Sequence, residues 1–264
     1  MKVHLITLCV ILFQLSDGIA QNPNPTKLIE EMQAAVGSWD NLHALKDVSF
    51  TYDYHSPQAN LRDVSTERYI FEGEHSWAEY TTHQINVMPQ AEGVVIQALV
   101  DGLPSCSVNG KLVTDKEILG GTDFLRRANY FWFVMNFKLN DPGTIHAYVG
   151  EESLDGTAYH KVRVTYDSGK TGKPQNDGYL LYINKDTKLV DQFYFSLPAM
   201  GVNEIAIKMK VDYETFNGVK LPVKRYIYMP GKDGKLGTEP GLVQTSSNIK
   251  FNSGFTPADF KLKG

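Results

Sequence analysis

The sequence predicts a mainly β protein: a single curved antiparallel sheet, or an incomplete β-barrel, covered by a few helices. Three observations lead there. Short stretches of alternating β-branched and aromatic residues recur from Val48 to the C-terminus. Two-residue turn signals punctuate them, among them Asn109-Gly110, Asp155-Gly156 and Asn217-Gly218. Helical periodicity is confined to the N-terminal part and to an ambiguous midsection, so few helices are left to cover a sheet.

The order of elements follows from the residues. MKVHLITLCVILFQLSDGIAQ combines Lys2, an apolar run from Val3 to Leu15 and the small residues Gly18 and Ala20. That order reads as a secretory signal peptide over residues 1–20. The run is shorter than the roughly 20 residues of a spanning helix, which disfavours an uncleaved anchor. Cys9 lies inside the apolar run, so its setting is not that of a lipidated cysteine. With the signal removed, Cys106 has no partner for a disulfide. It is expected as a small buried apolar residue rather than a catalytic thiol.

Asn24 as N-cap and Pro25 at the first helical position open a helix carrying Leu28, Met32, Ala35 and Val36. Gly37 can end it, and Trp39, Leu42 and Leu45 suit one further turn. Strands are expected within 48–55, 64–73, 75–87 and 94–102. More follow around Asn109-Gly110, between 144 and 167, between 177 and 197, across Asn217-Gly218 and within 241–253. With no linker or repeat among them, residues 21–264 are expected to form one domain.

The segment FLRRANYFWFVMNF at 124–137 fits two conformations. As a strand it puts Phe131, Phe133, Met135 and Phe137 on one face, and Tyr130, Trp132 and Val134 on the other. As a helix capped by Thr122 it groups Phe124, Ala128, Phe131 and Met135 against Tyr130, Phe133 and Phe137. Both send apolar groups in two directions, so the segment must be shielded on both faces. It is too short to cross a membrane. It therefore fills a core or borders an apolar cavity.

Chemistry is sparse. DSGKTG at 167–172 lacks the first glycine of a phosphate-binding loop, where Val164 stands, and follows a strand without opening a helix. His55, His75, His83, His146 and His160 form no close metal-ligand pair and are expected as exposed sheet residues. Glu151 and Glu152 are adjacent, so a strand aims them to opposite faces. Ser105-Cys106-Ser107 is expected in a proline-led loop. The net charge of −4 gives no field for nucleic acid or anionic lipid. No catalytic residue, metal or cofactor is assigned, and an enzyme is not expected.

YFWFVMNFKLNDPG, YVGEESLDGTAYHKVRVTYD, LYINKDTKLVDQ and FNGVKLPVKRYIY, together with the helix that ends at Gly37-Ser38-Trp39, carry a resemblance. The mature chain resembles a secreted bacterial family of unknown function with a LolA-like lipoprotein-carrier fold. The resemblance implies an incomplete barrel whose apolar hollow, closed by helices, holds an acyl chain. On that footing Trp77, Phe131, Trp132, Phe133, Met135, Phe195 and Met209 are the expected lining. The expected protein is a secreted or periplasmic binding protein for a lipid or other apolar ligand, with a cell-envelope protein as a further partner. Two alternatives stand beside it: an envelope interaction module without ligand, and a hydrolase with a dispersed site.

Overall fold

The computed structural model describes residues 22–172, 175–231 and 233–263. The expected signal peptide lies outside the described residues. Helices α1 (Pro25–Val36) and α2 (Trp39–Ala44) lead into β1 (Asp47–Ser56), β2 (Leu61–Ile70), β3 (His75–His83), β4 (Val95–Val100), β5 (Leu103–Val108) and the short β6 (Lys111–Leu112). Helix α3 (Lys116–Lys138) follows. The chain then forms β7 (Thr144–Leu154), β8 (Thr157–Tyr166), the single turn α4 (Ser168–Thr171), β9 (Tyr179–Asn184), β10 (Val190–Leu197), β11 (Val202–Phe216), β12 (Val219–Tyr228), β13 (Leu242–Phe251) and α5 (Pro257–Phe260).

All thirteen strands lie in one antiparallel sheet, in the order β6-β5-β4-β3-β2-β1-β13-β12-β11-β10-β9-β8-β7. The sheet is open, with β6 and β7 as its edges, and α3 is the connection from one edge to the other. Twelve strand spacings of about 4.8 Å would make a flat sheet about 58 Å wide, whereas α3 is about 35 Å long. The sheet must curl to let α3 bridge it, and α3 then lies on the concave side. Helix α1 makes the same point on a smaller scale. Its first turn meets β7, where Thr26 donates to His146 Nδ1 at 3.1 Å. Its last turn meets the β11–β12 hairpin, where a Cβ on Gly37 would stand 2.6 Å from the Gly218 carbonyl.

Local chemistry accounts for the ends of these elements. Asn24 Oδ1 accepts from the backbone N–H groups of Thr26 and Lys27 at 3.0 and 3.3 Å. Gly37 closes α1 at φ 117°, a left-handed conformation that glycine adopts without strain. In each of the pairs Asn109-Gly110, Asp155-Gly156 and Asn217-Gly218 both residues have positive φ, as the tightest hairpin turns require.

The 124–137 segment is helical, and its helix begins well before it. Asp115, not Thr122, is the N-cap, accepting from Glu117 and Ile118 N–H at 2.9 and 3.1 Å. Thr122 is a buried residue inside the helix. Ser105, Cys106 and Ser107 lie in β5 rather than in a loop. DSGKTG does open one turn of helix, α4, with Asp167 as its cap. His75 and His83 are buried rather than exposed. His75 accepts from the Asp101 N–H at 3.2 Å, and the His83 ring lies 3.2 and 2.9 Å from the carbonyls of Met88 and Gly93. Both rings bind loop backbone beside the sheet.

Three apolar clusters result. The main one joins α1, α2 and the C-terminal half of α3 to the concave face, from Phe50 and Tyr69 across to Leu181, Phe193 and Met209. A second packs Ile118, Leu119 and Leu125 of α3 against Ala78, Tyr80, Val95 and Cys106. The third is on the convex face, where Ile70, Trp77, Ala98 and Val100 meet Phe260 of α5. Asp47 ties down the chain leading to α5 by accepting from the N–H groups of Ser253, Gly254 and Phe255 at 2.7, 2.9 and 3.3 Å.

Candidate functional site

Strand alternation lines the concave face of β9, β10 and β11 with Tyr179, Leu181, Ile183, Phe193, Phe195, Ile207 and Met209, all buried. The rings of α3 lie over this wall. Trp132 is stacked on Phe193 at 6.0 Å and edge-on to Phe195 at 5.1 Å. Phe131 meets Tyr179 at 5.9 Å and Trp132 at 5.5 Å. Both α3 rings remain partly exposed, as do Tyr166, Leu197 and Val202 beside them. The cluster therefore reaches the surface as an aromatic seam along one side of α3.

Six of the seven expected lining residues fall in this cluster, in two environments. Phe131 and Trp132 form the seam. Phe133 is stacked on Phe50 at 4.7 Å and edge-on to Tyr69 at 5.5 Å, deep under the helix. Met135, Phe195 and Met209 are buried in the same cluster. Trp77 is on the other face of the sheet, under α5, with the Arg68 guanidinium 4.3 Å above its ring. One residue of offset along β3 decides this: Ser76, Ala78 and Tyr80 face inward, so Trp77 cannot.

The hollow expected of a half-barrel is filled by α3. Trp132, Met135, Asn136, Phe193, Val211, Tyr213, Pro222 and Arg225 line a void of about 10 Å³. That is room for one water molecule. A second void of about 10 Å³ lies between Tyr52, Asp63, Tyr80 and Asn129.

Polar groups cross the middle of the concave face. Arg126 of α3 is wholly buried and forks onto Glu67 of β2 through bonds of 2.6 and 3.2 Å. Arg126 also donates to the Tyr80 hydroxyl. Ser65 and Tyr69 donate to the same Glu67 carboxylate at 2.8 and 3.0 Å. Burial opposes the charge on Arg126, but Glu67 beside it outweighs burial, and the guanidinium pKa lies above its usual value. Arg225 of β12, also buried, donates to the Trp132 carbonyl at 2.6 Å. Burial pulls its pKa below the usual arginine range. Burial raises the Tyr52 phenol far above its usual value, and the nearby charge of Arg225 opposes that rise.

Sequence reasoning missed Glu67, Arg126 and Arg225 as interior groups. One signal was available: Arg225 alternates with Leu221, Val223 and Ile227 in β12, and so shares a row with apolar residues. The hydrolase alternative finds little support in the geometry. His160 lies 3.4 Å from Glu151, but on the partly exposed β7–β8 hairpin, and its other neighbour is the Tyr148 hydroxyl. Among the described residues no group of three or more His, Cys, Asp or Glu side chains is arranged to hold a metal. No described helix is long and apolar enough to cross a membrane.

Comparison with known proteins bears on the same architecture. The model of a family of unknown function, DUF6503, matches residues 108–239, half of the chain. No curated protein matches the sequence. Among solved structures, a LolA superfamily protein from Nitrosomonas europaea is similar, with a TM-score of 0.52 and 10% identity, over 91% of this chain and 98% of that one. A putative outer membrane lipoprotein-sorting protein domain from Vibrio parahaemolyticus gives a TM-score of 0.51 at 8% identity, over 90% and 97%. A DUF1329 family protein from Desulfovibrio piger gives 0.50 at 14%, over 91% and 100%. At these identities the likeness is one of fold, and the LolA-like architecture expected from the sequence is the one found.

Proposed function

The chain belongs to the family of unknown function DUF6503, and from that premise we propose that it is an exported carrier that shelters an apolar chain, an acyl chain above all, between the aromatic wall of β9–β11 and helix α3. The observation that carries the proposal is the seam at Phe131 and Trp132. Two large rings remain partly exposed over an otherwise buried apolar wall, and a sheltered chain would give them the cover they lack. The likeness in fold to a LolA superfamily protein and to a lipoprotein-sorting domain supports the same reading. Export rests on the N-terminal run of Lys2, Val3–Leu15, Gly18 and Ala20.

Space for the chain is made by lifting the C-terminal half of α3. Besides the partly exposed Lys138–Glu74 ion pair at its end, three hydrogen bonds hold that half: Gln33 to the Phe137 carbonyl at 2.8 Å, Asn136 to the Tyr213 hydroxyl at 3.0 Å, and Arg225 to the Trp132 carbonyl. At about 1 kcal/mol net each they resist by about 3 kcal/mol. Burying a twelve-carbon chain returns about 0.8 kcal/mol per methylene, or about 9–10 kcal/mol before ordering costs. Burial exceeds those bonds. The remaining opposition is the displaced packing of α3, which limits affinity and favours long chains.

The test is titration of the purified protein with an environment-sensitive fatty-acid probe. Saturable binding is expected, weakened about tenfold or more by Trp132→Ser, which removes the stacking surface, while the thermal melt stays cooperative. No saturable binding by the unaltered protein, or unchanged binding by Trp132→Ser, would contradict the proposal. The filled interior favours a second reading, an envelope interaction module without ligand, and the same titration separates the two.

A further inference from the structure

Among the described residues the concave face holds two buried arginines, and only one of them has an ion pair. Arg126 is matched by Glu67. Arg225 is 2% exposed, and its guanidinium makes one hydrogen bond among the described residues, to the Trp132 carbonyl. Asp63, the other carboxylate buried on this face, accepts from the N–H groups of Ile85 and Asn86, both at 2.8 Å, and pairs with neither arginine. Arginine stays charged inside proteins. An interior guanidinium without a counter-charge costs several kcal/mol that a matching anion would recover.

Arg225 borders the small void under α3, and unpartnered polar groups lie in the neighbouring rows of the sheet. Arg225 shares its void with Trp132, Met135, Phe193 and Val211. Across the sheet it is in register with Gln244, and in the next inward row Ser246 is in register with Tyr52. Rows of that kind lie about 6.6 Å apart along a strand. Tyr52 Oη, Gln244 Oε1 and Ser246 Oγ are buried without a hydrogen-bond partner among the described residues. The positive fork and the aromatic-aliphatic wall share one small void, and the Tyr52 phenol, which borders the neighbouring void, feels the Arg225 charge.

We infer that the sheltered chain carries an oxyanion head, a carboxylate in the first instance, which docks on Arg225 with the hydroxyls of Tyr52 and Ser246 as further donors. The inference rests on the carrier reading above and adds the chemical class of the ligand to it. A guanidinium fork matches a carboxylate or a phosphate geometrically and is indifferent to an alcohol or an ester of the same length.

The experiment is displacement of the neutral dye Nile red from the purified protein by dodecanoic acid, dodecanol and dodecyl phosphate. The acid or the phosphate should bind at least about tenfold more tightly than the alcohol, the increment of a charge-assisted hydrogen bond. Whichever of the two binds better shows which class of oxyanion the site prefers. Arg225→Gln should bring the acid-to-alcohol ratio close to one while dodecanol still binds, and Arg225→Lys should keep part of the preference. Should Arg225→Gln fail to fold, Tyr52→Phe carries the test, with a several-fold narrowing of the same ratio. Equal binding of acid and alcohol by the unaltered protein would overturn the head-group assignment and leave the carrier reading standing. Binding of none of the three would overturn both.

Discussion

Arg126 on α3 and Glu67 on β2 lie 59 residues apart in the chain and form a fully buried, two-pronged ion pair with bonds of 2.6 and 3.2 Å. It fixes the N-terminal half of α3 to β2, well inside the sheet, while the C-terminal half is held by rings, by three hydrogen bonds and by the Lys138–Glu74 ion pair. Removing one partner strands the other charge in the interior. Glu67→Gln is therefore expected to cost about 3–5 kcal/mol, read as a fall in the denaturant midpoint. The paired change Glu67→Leu with Arg126→Met should cost less than the sum of the two single changes, since no lone charge remains. Strict additivity would show that the pair does not act as a unit.

Gly37 meets two constraints at once. Its φ of 117° is unfavourable for a side chain, and a Cβ would approach the Gly218 carbonyl to 2.6 Å. Gly37→Ala is expected to destabilise by more than the roughly 1 kcal/mol of left-handed strain alone, because the β11–β12 hairpin has to move as well. A change within about 0.5 kcal/mol, the range of an ordinary surface substitution, would mean that α1 does not dock on that hairpin.

Phe133 and Phe131 are two residues apart and should behave differently. Phe133 is 1% exposed and packed between Phe50 and Tyr69. Phe133→Ala should lower stability by about 3–5 kcal/mol. Phe131 is at the seam, so Phe131→Asn should cost about 1 kcal/mol or less in the melt and show its main effect in probe uptake. If Phe131→Asn collapses the melt and Phe133→Ala does not, the two environments have been assigned the wrong way round.

The β7 edge carries a pH-dependent element. Lys161 and the Tyr182 hydroxyl both donate to Glu152 Oε2, at 2.9 and 3.3 Å. The Lys161 hydrogen bond is the main reason that the Glu152 carboxyl pKa lies below its usual value. A lowered carboxylate pKa stabilises the fold above the unfolded-state value, and the contribution is lost as pH falls through the folded-state value. Protection factors in β7, referred to the intrinsic exchange rate at each pH, should therefore fall on acidification below the ordinary carboxylate range. Glu152→Gln should flatten that local response. Equal protection of β7 in acid and at neutral pH would remove Glu152 as a clamp on this edge.

Much of the fold was legible because it is written locally. Asn24-Pro25 and Gly37 delimit α1, and the Asn-Gly and Asp-Gly pairs mark turns whose positive φ values only a few residues accept. The helix α3 was not legible as such. Gly120 and Gly121 in its second turn weaken helical propensity, and its apolar residues suit a buried strand equally well. The seam was legible as an aromatic run but not as two environments, because which ring goes under the helix depends on where the strands place Phe50 and Tyr69. Trp77 was misplaced because alternation says which residues share a face, not which face is concave. The Glu67–Arg126 pair was hidden for a further reason: in VSTERYIF a carboxylate reads as one more solvent-facing residue until the curled sheet puts its row inside.

Native mass spectrometry tests the central claim most directly. The protein would be purified without detergent, and then incubated with saturated fatty acids of increasing length. The account predicts a single stoichiometric adduct whose occupancy rises with chain length, and which is lost in Trp132→Ser while the charge-state envelope stays that of a folded protein. A bare mass at every chain length, or an adduct that survives Trp132→Ser unchanged, would contradict it.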